Sequence, residues 1–600
     1  MSRLAAGAFA ALVVATFGAF FVAQRLKNSP PVLSEIGVPP FFSPNGDGRF
    51  DVARVTFRPK ETDTVSVAVL DGAGDEVREL VGSRHVRAGE LVRLKWDGRT
   101  DAGTRARDGR YRYRITLSHA GRSVKTNSVR LDTTPPRARV TTIGPRHEFG
   151  PELMPRPDGG DAVVHFQPGR HPVIRLFKTA PGPARLVLQD DTLRDGAKEW
   201  RWNGLTPSGR PVSPGTYLVA IETRDQAGNR GLAPPLDRRG LPVVTYGGTL
   251  PGHGGITVRY LGVRPPATAA RVGEEVEFFV DARQKPWTWS VRRVGTSEAT
   301  PPRRKTSARV RLHAPGRESG VYLMQVRTAT RTTSVPFAVQ SHEHHAVLLV
   351  LPVMTWQGRN PLDDDGDGLP NLLDRGVGAA LNRIYAGDGL PAGFATRDAP
   401  LLQWLDRNHH RYDITTDAAL ALGRGPRLEG HAGVILPSDV RWLPRALQQR
   451  LRRYVRNGGK VASFGVDSLM RQVSISRNGR LVDPTPRATT DLFGARLRAT
   501  ETLSAPTNVV NKNDDIDFFA GTSGTFGPFA TIQEADSLGA EPVASAVTVE
   551  PPASLPVIAA SRLGKGLVIR YPVPELPARA ASGDLETSAL LDRTWTLLSR

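Results

Sequence analysis

Six hundred residues exceed what a single hydrophobic core organises, so roughly three to five domains are expected. The composition is globular, and its 60 Gly and 49 Pro favour turns and short strands over long helices. The absence of cysteine excludes disulfides, thiolate metal sites and a thiol nucleophile. The net charge of +21 points to an anionic partner such as an acidic wall polymer or a lipid surface.

Nucleic acid would also suit that charge. However, Arg is scattered through every segment, and no recognition helix, zinc finger or aromatic–basic platform is present, so no specific nucleic-acid role is assigned.

The chain opens with an uncharged run from Leu4 to Ala23. As a helix rising about 1.5 Å per residue, it matches the roughly 30 Å hydrocarbon layer of a membrane. Arg3 precedes it and Arg25 and Lys27 follow, so flanking charge sets no orientation. The bulky Phe21-Val22-Ala23 end disfavours cleavage as a signal peptide, which is the alternative. Residues 1–28 are therefore expected to be an N-terminal transmembrane helix. The protein would then be single-pass in the cell membrane, with the bulk of the chain extracytoplasmic; that orientation is inferred from the domains that follow.

Two segments then repeat. Trp96-Asp97-Gly98, Gly103 and Asp108-Gly109-Arg110-Tyr111 return as Trp202-Asn203-Gly204, Gly209 and Pro214-Gly215-Thr216-Tyr217, each residue 106 positions after its counterpart. A constant offset indicates two copies of one module of about a hundred residues. Tyr111, Tyr113, Ile115 and Leu117 alternate with polar residues, as do Tyr217, Val219 and Ile221, the pattern of half-buried strands. Each copy is read as a β-sandwich with its Trp and Tyr in the core; carbohydrate binding by these aromatics is the alternative. The W-D-G, G, D-G-x-Y series and the opening Ser43-Pro44-Asn45-Gly46-Asp47-Gly48 resemble FlgD/Vpr-type immunoglobulin-like domains of exported bacterial proteins. The resemblance implies fold and export, with no catalytic activity.

The first copy is assigned residues 29–135, ending in the Thr133-Thr134-Pro135-Pro136 linker, and the second 136–245, closing near Asp225-Gln226-Ala227-Gly228-Asn229. Residues 250–341 carry strand patterns but no Trp-to-Tyr signature, and are read as a third β-sandwich of a different type. From residue 342 to 600 the period changes. The apolar runs Ala346–Leu351, Val434-Ile435-Leu436 and Val461–Phe464 read as buried parallel strands. Leu443, Leu447, Leu451, Tyr454 and Val455 share one helical face, ended by Gly458-Gly459. The fold class expected is thus tandem all-β sandwiches followed by an α/β open-sheet domain, behind a transmembrane helix.

The sharpest local motif runs from Asp363 to Asp374. Asp363, Asp365, Asp367, Leu369 (through its carbonyl), Asn371 and Asp374 occupy positions 1, 3, 5, 7, 9 and 12 of an EF-hand-like calcium loop, with Gly368 at position 6. Position 12 is Asp rather than Glu, and no helix precedes the loop; the alternative is a solvated acidic turn. Calcium is the one cofactor expected. Asn45, Asp47 and Asp51 form a thinner version that an Asx turn explains equally well. His342, His344 and His345 form a cluster suited to a transition metal, but are read as a solvated linker. His409 and His410 are adjacent and diverge on most backbones.

The C-terminal region resembles the glutamine-amidotransferase-like domain at the C-terminus of N,N-dimethylformamidase large subunits. The residues that carry this are Val350–Gln357, Tyr412–Asp417, Gly433–Pro437, Tyr454-Val455, Gly458-Gly459 and Leu563–Gly566. The resemblance implies a nucleophile elbow near Phe464-Gly465-Val466-Asp467 and a late base near Val573-Pro574-Glu575. Neither Cys nor His stands there, so thiol amidotransferase chemistry is excluded by residue type. It also implies an iron held by tyrosine and carboxylate oxygens, whose ligands do not map; Gly358-Arg359-Asn360 lacks the Tyr that relatives carry before the Asn. Ser463, Ser468 and His431 make a weak Ser–His proposal with no G-x-S-x-G elbow. The function expected is a membrane-anchored, non-catalytic surface scaffold; the alternative is a metal-dependent amide or wall-polymer hydrolase.

Overall fold

The computed structural model describes residues 7, 9, 11–20, 31–144, 148–149, 161–243, 254–283, 285–549 and 555–600. It is mostly β, with 43% strand and 13% helix. Among the described residues no helix is long and apolar enough to cross a membrane. The described helical run at 11–20 spans about 15 Å, half of a hydrocarbon layer. Other residues of Leu4–Ala23 lie outside the described residues. The expected transmembrane helix, and the single-pass membrane localisation and outward placement drawn from it, are corrected accordingly. The expected fold class fails with them.

Three sandwiches follow one strand plan. In the first, Leu33–Gly37, Ala53–Pro59 and Val92–Trp96 form one sheet. The facing sheet runs Phe41–Phe42, Val129–Leu131, Gly109–Leu117, Asp63–Leu70, Glu76–Val86. The second repeats this with Val140–Gly144, Ala162–Phe166 and Glu199–Trp202 against Glu148–Phe149, Gly255–Val258, Gly215–Arg224, Arg170–Ala180 and Arg185–Asp190. Gly255–Val258, placed by the sequence reading in the third segment, thus closes the second sandwich. The third keeps the same order without the aromatic signature: Leu261–Arg264, Glu275–Ala282, Arg309–His313 against Ala270–Arg271, Thr332–Gln340, Gly320–Arg327, Trp287–Arg293 and Arg303–Lys305. In all three the short second strand pairs in parallel with the last.

The repeat signature has a physical cause. Trp96 Nε1 donates to the Arg99 carbonyl at 2.8 Å, and Trp202 Nε1 to that of Leu205 at 3.0 Å. Tyr111 Oη donates to the Arg107 carbonyl at 2.7 Å, and Tyr217 Oη to that of Ser213 at 2.6 Å. The rings pack on each other, with centroids 4.8 Å apart in the first copy and 5.5 Å in the second. Each aromatic buries its ring and ties its polar tip to the loop that brings the next strand back. In Gly109–Leu117 only alternate residues are buried. In Gly215–Arg224 nearly all are, because Leu218 on the outer face lies under Gly368 of the acidic loop.

The C-terminal unit is built on a nine-stranded mixed sheet. In chain order its strands are β1 (Val347–Leu351), β2 (Asp413–Thr416), β3 (Gly433–Leu436), β4 (Lys460–Phe464), β5 (Glu501–Asp514), β6 (Thr525–Ile532), β7 (Glu541–Thr548), β8 (Pro556–Leu563) and β9 (Gly566–Tyr571). They are arranged β2-β1-β3-β4-β9-β8-β7-β5-β6. The first five are parallel and the remaining four join antiparallel. Successive β1 residues feed different cores. Leu348 and Val350 pack with Leu447, Leu451 and Val455 of helix Arg445–Arg456, while Val347, Leu349 and Leu351 face the cluster holding Leu590, Leu591 and Leu598 of helix Leu585–Ser599. That second cluster continues without a break into the core of the third sandwich, through Phe278, Met324 and Phe337.

Candidate functional site

Strand order reverses between β1 and β3, and the carboxyl ends of the parallel strands there form the usual place for a ligand in an open sheet. Segments leaving β1 to β4 bring Thr355, Asp417, Asp439 and Asp467 to that edge. Asp417 is fully buried. It accepts the backbone N–H of Met354 at 3.1 Å and of Ala418 at 2.7 Å, yet burial pushes its pKa up to about 8. Asp398 accepts the Ser438 hydroxyl at 2.6 Å, and burial, with Asp439 nearby, raises it to about 7.

The elbow is conformationally intact and chemically altered. Gly465 has φ +87°, and a Cβ there would stand 2.4 Å from Asp439 Oδ1. Asp467, at the end of the segment near which the resemblance places the elbow, has φ +53°. Its N–H donates to Gln533 Oε1 at 2.9 Å, while its carboxylate accepts Arg487 Nε at 2.7 Å and lies 3.9 Å from both Arg441 and Arg471. Burial alone would raise this carboxyl, but those guanidiniums hold it below the ordinary range. Asp439 accepts the Val466 N–H at 2.9 Å, pairs closely with Arg397, and has Arg441 at 3.5 Å and Arg359 at 3.9 Å. Asp374 lies 3.7 Å from Arg359 and 3.8 Å from Arg441. Five guanidiniums thus meet three carboxylates, and burial together with the Arg441 charge lowers the pKa of Arg359. Behind the elbow, the space lined by Ser463, Ser468 and Gln533 measures about 20 Å³, room for one water.

The sequence-derived candidates sort clearly. Asp363, Asp365 and Asp367 converge, with carboxylate oxygens within 4.8 Å of one another. Burial and mutual repulsion push Asp363 up to about 7 and Asp367 up to about 6. The Leu369 N–H donates to Asp367 Oδ1 at 2.8 Å. Asn371 accepts the Asp364 N–H and donates to Asp365 Oδ2 at 3.1 Å and the Gly378 carbonyl at 3.2 Å. Asp374 stands apart, between Arg359 and Arg441. The loop is stapled by buried Arg383, which pairs with Asp364 at 2.8 Å and donates to the carbonyls of Gln357, Asn360 and Asn371. It also docks on the second sandwich: Thr179 Oγ1 donates to the Gly368 carbonyl at 2.6 Å and the Gly255 N–H to that of Gly366 at 2.9 Å.

Asn45, Asp47 and Asp51 make a turn in which Asp51 accepts the N–H groups of Gly46 and Gly48, while Asn45 donates to Asn229 Oδ1 of the second sandwich at 3.1 Å and Asp47 lies 4.0 Å from Arg224. His410 contacts Asp592 at 3.0 Å and stacks on Trp595, while the neighbouring His409 backbone takes φ +55°. Ser463 and Ser468 are not paired with His431, which contacts Asp413 before β3. Glu575 accepts the backbone N–H groups of Ala530 and Thr531. Among the described residues no tyrosine-and-carboxylate iron set assembles: Tyr412 donates to Asp406, Tyr454 to the His431 carbonyl, and Tyr571 shares a hydrogen bond with Thr594. Tyr385 is buried beside Asp417 and Asp398, whose oxygens are occupied as described.

Sequence reasoning missed the role of Asp413, set His431 beside serines it does not meet, and missed Asp439 and the arginines around Asp467. A usable signal was present for Asp413 and His431: a polar residue opening β2 and one just before β3 share a sheet edge with His344 and His345, which lie just before β1.

Comparison with known proteins agrees with the two resemblances. Residues 46–121 match the FlgD Ig-like domain, and residues 305–583 match the N,N-dimethylformamidase beta subunit-like C-terminal domain. The second match begins inside the third sandwich, consistent with the core those parts share. No curated protein matches the sequence. Among solved structures, β-galactosidase from Bacillus circulans sp. alkalophilus aligns at 12% identity with TM-score 0.26, over 42% of this chain and 31% of its own. A bacterial ice-binding adhesin aligns at 12% identity with TM-score 0.22, over 52% of this chain and 96% of its own. The chain spans less than a third of the length of the first of these. The matched domain families are those of an Ig-like, surface-type protein carrying a dimethylformamidase-like unit.

Proposed function

We propose that this chain is a non-catalytic binding scaffold, in which Ig-like sandwiches carry a degenerate amidotransferase-like unit that recognises an acidic polymer. The observation that carries the reading is Asp467. The elbow that would present a nucleophile presents a carboxylate clamped by Arg441, Arg471 and Arg487, with no imidazole paired to it among the described residues. A carboxylate held ionised by three guanidiniums is a poor nucleophile and has no partner for proton transfer. The surplus of Arg359 and Arg397 at the same mouth suits phosphate or carboxylate groups, which guanidinium binds in a fork geometry. The net charge of +21 would speed encounter with such a polymer.

The test is binding of inorganic polyphosphate by the full chain across a salt series. Affinity should fall steeply with salt, and Arg359→Ala combined with Arg397→Ala should weaken it about tenfold or more. Unchanged affinity in that double variant would refute the reading. Hydrolysis of a simple amide by the wild type, lost in Asp439→Asn, would replace it with a hydrolase. We also propose that the loop from Asp363 to Asp374 takes a calcium ion through Asp363, Asp365 and Asp367. The convergence of their carboxylate oxygens within 4.8 Å of one another supports this.

A further inference from the structure

At the opposite edge of the parallel strands, three imidazoles close on one carboxylate. Asp413 opens β2, His344 and His345 lie just before β1, and His431 lies just before β3. The Asp413 side chain is 4% exposed. Its Oδ2 is 2.9 Å from His344 Nδ1 and 2.9 Å from His431 Nε2. Its Oδ1 is 3.0 Å from His345 Nδ1 and 3.1 Å from Gln340 Nε2. The nearest ligand atoms of His344, Asp413 and His431 all lie within 4.8 Å of one another. His342, next in sequence, turns away to the Val272 carbonyl.

A carboxylate and a carbonyl only accept, and a neutral imidazole has one donor nitrogen and one acceptor. His344 faces an acceptor at both nitrogens: Asp413 Oδ2 at Nδ1, and the Gly430 carbonyl at 3.2 Å from Nε2. With the ring neutral, one of these is a contact between two lone pairs. A divalent cation among the three residues removes the conflict. Nδ1 then offers its lone pair to the metal, Nε2–H donates to the Gly430 carbonyl, and the carboxylate supplies the anionic ligand. A backbone carbonyl on the far nitrogen is the usual support of a metal-bound histidine. His431 Nδ1 is buried without a partner, so that ring is oriented by what its Nε2 meets.

We infer that His344, Asp413 and His431 form a binding site for a zinc-class divalent transition metal. Two imidazole nitrogens and one carboxylate oxygen suit zinc or cobalt(II) better than calcium. Tetrahedral bonds of about 2.0 Å place ligand atoms about 3.3 Å apart, so the 2.9 Å contacts need open by only a few tenths of an ångström. The His344 side chain is 64% exposed, leaving the fourth position to water. Gln340, at the end of the last strand of the third sandwich, holds Asp413 and also accepts the Ile414 N–H. The metal would therefore sit where that sandwich meets the sheet. The inference is independent of the polymer-binding mouth and of the calcium loop.

The experiment is cobalt(II) and zinc titration of the metal-free full chain, read by the visible absorption of tetrahedral cobalt and by calorimetry. One equivalent should bind. His344→Ala, at an exposed position where folding is not at stake, should weaken zinc about a hundredfold or more, as should His431→Gln. His342→Ala and Asp365→Ala should leave affinity unchanged. No stoichiometric metal in the wild type would overturn the site. Binding that survives His344→Ala, or that is lost in Asp365→Ala, would overturn it as well.

Discussion

Replacing Arg383 by Met removes a charge and keeps most of the side-chain volume. The guanidinium is 7% exposed and pairs with Asp364, itself 9% exposed, at 2.8 Å. It also donates to the carbonyls of Asn360 at 2.9 Å and Asn371 at 3.1 Å, and to that of Gln357. Removing one partner of a buried pair costs about 3–5 kcal/mol, because the other charge is left uncompensated. Asp364 keeps the Ala380 N–H at 2.8 Å and Arg480 at 3.6 Å, which favours the lower half of that range, while the orphaned carbonyls push the other way at about 1 kcal/mol each. A loss of about 3–5 kcal/mol corresponds to a fall of two to nearly four orders of magnitude in amide-exchange protection. It should be confined to the helix Val353–Gly358 and the loop after it, leaving the first sandwich untouched. Adding Asp364→Asn to Arg383→Met should recover part of the loss. A single variant costing under about 1 kcal/mol, or a double variant worse than the sum, would refute the view that Arg383 is the staple.

Calcium at about a hundredfold excess over its Kd should stabilise the C-terminal unit by about 2.7 kcal/mol, raising its melting temperature by about 5–10 °C, and Asp365→Ala should abolish the shift; no shift in the wild type removes the site. Asp417 is held protonated up to about pH 8 in the folded chain, whereas an unfolded carboxyl ionises near 4. Stability should therefore fall as pH rises across that window, by up to about 1.4 kcal/mol per unit for this group, and Asp417→Asn should flatten the slope in melting temperature against pH. Trp202→Phe removes the indole donor from the Leu205 carbonyl and should destabilise the second sandwich by about 1–3 kcal/mol in urea unfolding; a neutral outcome would mean that the ring alone sets the repeat signature.

Much of the architecture was legible because it rests on local periodicity. The alternating Tyr111, Tyr113, Ile115 and Leu117 and the unbroken β1 run are signals that burial itself writes into a chain. The kinship of the third sandwich was not legible, since its strand order is maintained by a core around Phe278 and Phe337 that shares no residue pattern with the Trp–Tyr pairs. The antiparallel half of the large sheet was hidden for a related reason: exposed residues dominate β5, so no hydrophobic period marks it. Of the candidate sites, the acidic loop was readable because its residues are contiguous. The cluster at Asp413 draws on positions 344, 413 and 431, and the mouth at Asp467 on residues from 359 to 487. Only the fold brings such separated charges together.

Between the last strand of the second sandwich and the first of the third stand only Arg259 and Tyr260. Tyr260 Oη is fastened to the Val212 carbonyl at 2.6 Å, and its ring lies under the Arg331 guanidinium. Eight residues, 132–139, separate the corresponding strands of the first and second sandwiches, beside an open cleft of about 500 Å³. The first joint is instead bridged by side chains: Asn229 donates to the Asp132 carbonyl at 2.7 Å and accepts from Asn45 at 3.1 Å. Under tension those few polar contacts would have to part before the longer connection could extend, whereas the second joint has no length to give.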